Sequence, residues 1–224
     1  MEGFRIRENW DRVAADLVQR AACLPVSNIS DVMSRRFGAP SSLLPRHGGG
    51  QMAGAALTVS VRPGDNLMLH KALTMARPGD VIVVDAGGAL DNAIMGELML
   101  ARAVQAGVAG VVIWGAIRDA AGIRAQTTPV FACGISHRGP YKDGPGEIGF
   151  PVSLGSMVVQ PGDLVVGDED GVIALPRAEA AAILDRAARK QAAEARQLET
   201  TLQGAYDGAW IDETLARLGC ETLP

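Results

Sequence analysis

Glu97, Arg118 and Asp119 are the residues of this sequence whose types and spacing best suit chemistry. An arginine can grip a carboxylate through two parallel hydrogen bonds and steady negative charge on a neighbouring oxygen. Asp119 is a hard oxygen ligand of the kind Mg²⁺ uses, an ion that keeps several waters and takes only one or two carboxylates. Glu97 stands in the string Gly96-Glu97-Leu98-Met99, at the start of an expected helix. There the amides around Gly96, Leu98 and Met99, and the partial positive charge of the helix start, could hold an anionic substrate. Gly115, just before Arg118, lets the backbone approach a ligand closely. The same residues also suit a plainer reading, an Arg-Asp pair in a loop and a glutamate favoured by the helix dipole.

The elements between them decide whether they can meet. Twenty residues separate Glu97 from Arg118. An Ala/Leu/Met-rich run from Ala93 to Ala106 predicts a helix, Gly107 suits the position that ends it, and Val108 to Trp114 predicts a short buried strand. Ten helical residues after Glu97 travel about 15 Å outward, and seven strand residues about 23 Å back. Both ends then finish on one edge of the layer, where two carboxylates and a guanidinium can converge.

The rest of the chain supplies the frame. Residues 1–24 predict an N-terminal amphipathic helix, from the spacing of Trp10, Val13, Leu17 and Val18. Pro25 ends it, and a short helix capped by Ser27 or Ser30 follows. Gly48-Gly49-Gly50 reads as a loop, because Ala55 to Val61 resumes at once as a strand. Pro-Gly-Asp recurs at Pro63, Pro78 and Pro161 as a turn, and the second and third copies lead into strands. Asp168-Glu169-Asp170-Gly171 predicts a hairpin with an Asp-Gly turn. Strands at roughly 55–61, 81–85, 108–114, 129–132, 151–159, 164–167 and 172–175 alternate with helices early and run together late. That order predicts a layered α/β domain with a mixed sheet, one unit over residues 1–224, rather than a doubly wound sheet. A C-terminal helix over 178–203 would be about 39 Å long. Its middle offers mainly alanines, so it is expected to dock on a neighbouring subunit.

Composition narrows the function classes. The net charge of −4, with no Lys/Arg block, gives no footprint for nucleic acid. No apolar run reaches the roughly 18 residues that span a bilayer, and the N-terminus lacks a signal-peptide core. Cys23, Cys133 and Cys220 are odd in number and widely spaced, which suits a reducing compartment and argues against a disulfide framework or a structural zinc site. The expected location is the cytoplasm. His47, His70 and His137 lack metal-ligand spacing, and His70-Lys71 is expected on a helix surface or boundary. Gly87-Gly88 lacks both nucleotide-loop patterns, and Ser136-His137 lacks the context of a serine hydrolase. Asp163, Asp168, Glu169 and Asp170 lack the spacing of a calcium loop and read as a solvated hairpin.

Several ordered motifs, taken together, carry a resemblance. They are Gly96-Glu97-Leu98-Met99, Gly115-Ala116-Ile117-Arg118-Asp119, Pro129-Val130-Phe131-Ala132, Ser136-His137-Arg138-Gly139, Gly144-Pro145-Gly146-Glu147-Ile148, and Pro161-Gly162-Asp163 through Asp170-Gly171-Val172. Over about residues 25 to 200 the chain resembles the class II 4-hydroxy-4-methyl-2-oxoglutarate / 4-carboxy-4-hydroxy-2-oxoadipate aldolases, a family that includes the RraA-like regulators of ribonuclease E activity. The resemblance implies a ββα swivelling-domain-like fold, assembly as a homotrimer or homohexamer, and active sites between subunits. It implies a lyase that uses Mg²⁺, or Mn²⁺ or another divalent cation, and yields pyruvate plus a second 2-oxo acid or oxaloacetate. Oxaloacetate decarboxylation through the same pyruvate enolate is the implied side activity.

By the same resemblance Arg118 contacts pyruvate and its enolate, Asp119 binds the metal, and Glu97 falls at the acidic position 21 residues before that arginine. Gly96, Leu98 and Met99 match the segment whose amides hold the carboxylate. Glu194 matches the glutamate that reaches the metal site of the adjacent subunit. Either a metal-bound water or Glu97 would take the proton of the 4-hydroxyl. The chain departs from the family at Ala120-Ala121-Gly122-Ile123, where many members carry an acidic residue at about position 122, and at His137, where proline is common. Both departures bear on the identity of the substrate. A non-catalytic regulator that binds a ribonuclease on the same scaffold is the alternative of a different class.

Overall fold

Largely apolar segments mark strands buried on both faces, and four of them, two rich in Val and Ile, form the centre of the molecule. The computed structural model describes residues 3–221 and residue 223. In chain order its first elements are β1 (Phe4–Ile6), α1 (Ala15–Ala21), α2 (Val26–Val32), β2 (Leu44–Pro45), β3 (Met52–Val61), α3 (Leu67–Met75), β4 (Asp80–Asp85) and β5 (Ala93–Met95). There follow α4 (Glu97–Gln105), β6 (Gly110–Ile117), α5 (Ala120–Arg124), β7 (Val130–Ile135), β8 (Gly146–Ile148), β9 (Val152–Leu154) and β10 (Met157–Val159). The last are β11 (Leu164–Asp168), β12 (Gly171–Leu175), α6 (Ala180–Leu202) and α7 (Ala209–Arg217).

One mixed sheet runs β1-β8-β3-β4-β6-β7-β2, with β5 added to β6 and the β11–β12 hairpin added to β3. β3, β4, β6 and β7 are parallel. The long β3 changes partners along one edge, pairing antiparallel with β11 over its first half and with β8 over its last three residues. Because side chains alternate along a strand, the sheet divides the core. Leu57, Val59, Ile82, Val84, Val111 and Ile113 face α3 and α4. Ala56, Val81, Val83, Val112 and Phe131 face β9–β10 and one side of the β11–β12 hairpin. The hairpin's other side, Leu164, Val166, Ile173 and Leu175, is covered by α1, α2 and the start of α6. The expected layered, mixed α/β architecture is what the chain forms.

Several boundaries differ from expectation for identifiable reasons. The N-terminal helix expected over 1–24 is helical only at Ala15–Ala21, and Phe4–Ile6 extends to pair with β8. Residues 1 and 2 of that expectation lie outside the described residues. α2 starts at Val26 after Pro25 with no side-chain cap, so neither Ser27 nor Ser30 caps it. The run at 151–159 is two short strands that form their own hairpin, broken at Gly155 (φ +63°). In the β11–β12 hairpin Asp168 pairs with Gly171, which leaves Glu169-Asp170 as the turn. α7 was not anticipated.

The three Pro-Gly-Asp copies are one device. In each, the aspartate amide donates to the carbonyl three residues back (Arg62, Arg77 and Gln160; 2.9–3.1 Å), and the central glycine has φ of +79° to +84°. This is a type II turn, with Pro at its second position and the positive φ that glycine supplies at its third. Among the described residues no helix is long and apolar enough to cross a membrane.

Candidate active site

The Arg118-Asp119 pair meets the Gly96-Glu97 pair because β5 and β6 are parallel neighbours. Met95 pairs with Ile117, and Arg118 N donates to Met95 O at 2.9 Å. The next residues of both strands therefore emerge side by side on one edge. Residues 93–95 were expected to be helical, and β-pairing to β6 overrides their helix-forming composition. The helix begins at Glu97 with Gly96 as its N-cap.

Asp119 ties the two segments together. Its Oδ2 accepts from Glu97 N at 3.1 Å and lies 3.7 Å from Arg118 Nε. It thus substitutes for the capping side chain that Gly96 lacks. Asp119 itself has φ +56° and ψ +40°, a left-handed conformation. Non-glycine residues there carry a cost of order 1–3 kcal/mol and cluster at functional sites, with Asp and Asn the best tolerated. Gly96 is extended at φ −140°, so glycine is present for space and not for backbone freedom. A Cβ at 96 would collide with Asp119 Oδ2 and stand 3.1 Å from Arg118 Cγ.

A cleft of about 210 Å³ opens here, lined by Gly96, Leu98, Met99, Arg118 and Asp119. That is below the roughly 300–1,000 Å³ of clefts for drug-sized ligands and suits a small acid. The amides of Gly96 and Leu98 make no hydrogen bond among the described residues, so both are open to an anion. The Met99 amide is engaged by Gly96 O at 3.1 Å, and Met99 lines the cleft through its side chain instead. This corrects its expected role as an amide donor.

Glu97 is exposed, and its carboxylate lies over Gly122, where any Cβ would strike it. The missing side chain at 122 is what makes room for this carboxylate. Gly139, from the Ser136-His137-Arg138-Gly139 motif, packs over the arginine, and a Cβ there would stand 3.2 Å from Arg118 Nη1.

Three cleft residues were not singled out from sequence as site residues: Asn66, His70 and Lys142. Asn66 is buried (2% exposed), and its Nδ2 donates to Ile94 O at 2.9 Å. Its Oδ1 is buried with no hydrogen-bond partner among the described residues. His70, expected on a helix surface or boundary, faces the cleft, and its Nδ1 is 2.9 Å from Arg102 Nη1. Burial, with the Arg102 and Lys142 charges, pushes its pKa below the ordinary 6.5. The first Pro-Gly-Asp turn holds this wall. The buried Asp65 carboxylate accepts from the amides of Leu67, Asp143 and Gly144 at 2.7–3.0 Å, and Tyr141 N donates to Gly64 O. The available signal was that Asp65, unlike Asp80 and Asp163, precedes a helix.

Glu194 is not brought to Asp119 within the chain. Its Oε1 is 2.6 Å from Lys190 Nζ, and its Oε2 accepts from Asn28. Lys190 and Asn28 together hold its carboxyl below the usual range. Among the described residues no three His, Cys, Asp or Glu side chains gather as a metal site. Asp119 Oδ1 makes no hydrogen bond among them, and the side chain is 44% exposed. One open carboxylate oxygen at a water-accessible mouth fits an ion that keeps most of its waters.

Fold and cleft together define a class: a mixed α/β protein whose parallel strand ends set Gly-Glu-Leu-Met beside Arg-Asp. The chain belongs to the RraA-like family (Aldolase/RraA), whose sequence model matches residues 26–174. A curated relative from Halalkalibacterium halodurans, named "Putative 4-hydroxy-4-methyl-2-oxoglutarate aldolase", is 40% identical over 177 residues, 79% of this chain and 84% of that protein. Among solved structures, the RNA-processing inhibitor RraA from Thermus thermophilis is 31% identical with a TM-score of 0.63, covering 68% of this chain and 92% of that one. Streptomyces coelicolor RraAS2, described as an unusual member of the RNase ES inhibitor RraA family, is 27% identical with a TM-score of 0.75, covering 87% and 99%.

Proposed function

We propose that the chain is a divalent-metal-dependent lyase, a class II aldolase. It cleaves 4-hydroxy-4-methyl-2-oxoglutarate or 4-carboxy-4-hydroxy-2-oxoadipate to pyruvate and a second 2-oxo acid, and decarboxylates oxaloacetate as a side activity. The observation that carries this reading is the adjacency of Arg118, Asp119 and the open amides of Gly96 and Leu98 in one small cleft. The name of the curated relative supports it.

The amides of Gly96 and Leu98 bind the C1 carboxylate, and Arg118 donates to the 2-keto oxygen. Asp119 holds Mg²⁺ or another divalent cation, which supplies Lewis-acid stabilisation where negative charge develops. In the cleavage the 4-hydroxyl loses its proton, the C3–C4 bond breaks, and C4 becomes a carbonyl. The electron pair passes through C3 to the 2-keto oxygen, and C3 then takes a proton to give pyruvate. Arg118 stabilises that oxygen as its charge grows. Glu97, whose exposed carboxylate lies over Gly122 and does not line the cleft, accepts the hydroxyl proton through water.

Assembly completes the reading. We place the protein in the cytoplasm as a homotrimer or homohexamer, with α6 docked on a neighbour and Glu194 reaching the neighbour's metal. In support, no residue of α6 beyond Ala187 is buried within the chain. Steady-state pyruvate release from 4-hydroxy-4-methyl-2-oxoglutarate and from oxaloacetate, with and without Mg²⁺, tests the function. No Mg²⁺-dependent turnover of either, with Arg118→Ala equal to wild type, would sink it. The second reading, a non-catalytic regulator that binds a ribonuclease, is favoured by the descriptions of two solved relatives. Titration with a ribonuclease E catalytic domain reads it directly.

A further inference from the structure

Ile211, Leu215 and Leu218 follow one another at spacings of four and three along α7 and its C-cap, so they share one face of that helix. The face is bare. No residue of α7 is buried, and these side chains with Trp210 are 41% to 70% exposed. Trp210 is steadied beside the stripe, its Nε1 donating to Tyr206 Oη at 2.9 Å. The body of the chain stands well away. No residue of α6 beyond Ala187 is buried, and from Ala187 to Leu202 that helix runs a further ~22 Å before the turn into α7. α7 also lies outside residues 26–174, the span that the family model matches.

The stripe has the symmetry of a surface that fits itself. Its centre falls between Thr214 and Leu215, with Ile211 and Leu218 equally far to either side. A twofold axis through that centre, with the helices antiparallel, sets Ile211 against Leu218 of the partner subunit. It sets Thr214 against the partner subunit's Leu215. Charge selects the same orientation. Asp212 and Glu213 lie in the first half of α7 and Arg217 in its last turn, and none of the three takes part in an ion pair among the described residues. Antiparallel packing brings each acidic half against a basic half and opposes the helix dipoles, whereas parallel packing stacks like on like.

We propose that α7 pairs antiparallel with α7 of a second copy of this chain, an isologous contact. A single pair of nine-residue helices is a small contact, so it works where several act together and each raises the effective concentration of the next. With the trimer of the reading above, three such pairs join two rings into a hexamer. That stoichiometry rests on that reading, and the pairing itself does not.

Sedimentation equilibrium of the full chain reads the pairing. Wild type should hold an even number of copies, and Leu215→Asp, which puts a charge at the centre of the stripe, should halve the mass. Oxidation of cysteine variants on a Cys23→Ser, Cys220→Ser background reads the orientation. Leu215→Cys, beside the axis, should form a disulfide-linked dimer. Ile211→Cys alone should not, because its two copies stand about 10 Å apart along the helices, but it should cross-link when mixed with Leu218→Cys. An odd number of copies in wild type, or an unchanged mass in Leu215→Asp, overturns the proposal. So does a failure of Leu215→Cys to cross-link, the result if α7 sits on a neighbour's body or awaits a different protein. Cross-linking of Ile211→Cys to itself overturns the antiparallel arrangement. A wild-type trimer overturns the pairing and leaves the ring intact, whereas a dimer that Leu215→Asp turns into a monomer supports the pairing and overturns the ring.

Discussion

Arg118 and Asp119 are neighbours in sequence yet do different work, and their backbones show it. Arg118 is held by Met95 O as a continuation of β6, whereas Asp119 turns left-handed and swings its carboxylate back to Glu97 N. Arg118→Ala should lower kcat by about 10² or more, the loss typical of one donor to a developing oxyanion, measured by steady-state pyruvate release. Asp119→Asn keeps the amide acceptor and a residue type tolerated in the left-handed region. It should therefore unfold at an unchanged temperature while losing Mg²⁺-dependent turnover. Separating fold from function in this way requires both a thermal melt and the assay. A fall in melting temperature equal to that of an alanine variant would show that the carboxylate is structural.

At the scale of elements, the cleft is a joint between a β5–β6 pair, the α4 start and a wall hung from α3. Gly96→Ala suits the backbone at φ −140°, but it should displace Asp119 and Arg118, cost about 1 kcal/mol through the lost cap on α4 and raise KM sharply. Crystallographic or kinetic equality with wild type would contradict it. Asp65 is the peg of the opposite wall. Asp65→Ala leaves the amides of Leu67, Asp143 and the buried Gly144 without their acceptor and should cost about 3 kcal/mol, read by denaturant unfolding. The β6 strand of this joint, and β3 and β4 beside it in the sheet, were legible in the sequence to within a few residues, because all three are largely apolar runs between turn signals. The sequence misleads at Ala93–Met95, whose Ala/Met composition favours a helix and whose strand character comes only from the neighbouring β6. His70 and Lys142 were invisible as site residues, because nothing local distinguishes a helical histidine that faces a cleft from one that faces solvent.

At the scale of the molecule, charge and assembly set the conditions for activity. In the unfolded chain an imidazole protonates as pH falls through about 6.5, but folded His70 resists because its pKa is lowered. The unfolded state then binds more protons, so the His70 contribution to stability is present above about pH 6.5 and is lost as pH falls below it. The melting temperature of wild type should therefore fall between about pH 7 and pH 5 by more than that of His70→Gln. The exposed second half of α6 makes the other prediction. If Glu194 acts on a neighbour's metal, Arg118→Ala and Glu194→Ala should each be impaired alone and regain activity when co-expressed, because mixed assemblies recreate intact sites. Light scattering would report the trimer or hexamer. Absence of complementation in mixed oligomers would return Glu194 to its contacts with Lys190 and Asn28.

The sequence by itself determined the strand runs, the three Pro-Gly-Asp turns and the spacing that sends Glu97 and Arg118 to one edge. These follow from local rules, apolar periodicity and the φ that Pro and Gly impose. The family followed from motifs in order. Only the tertiary structure decided which amides stay open, that Glu97 rests over Gly122, and that Arg102 donates to His70 Nδ1. Each of these depends on contacts between residues distant in the chain, and such contacts leave no period or signature in the sequence.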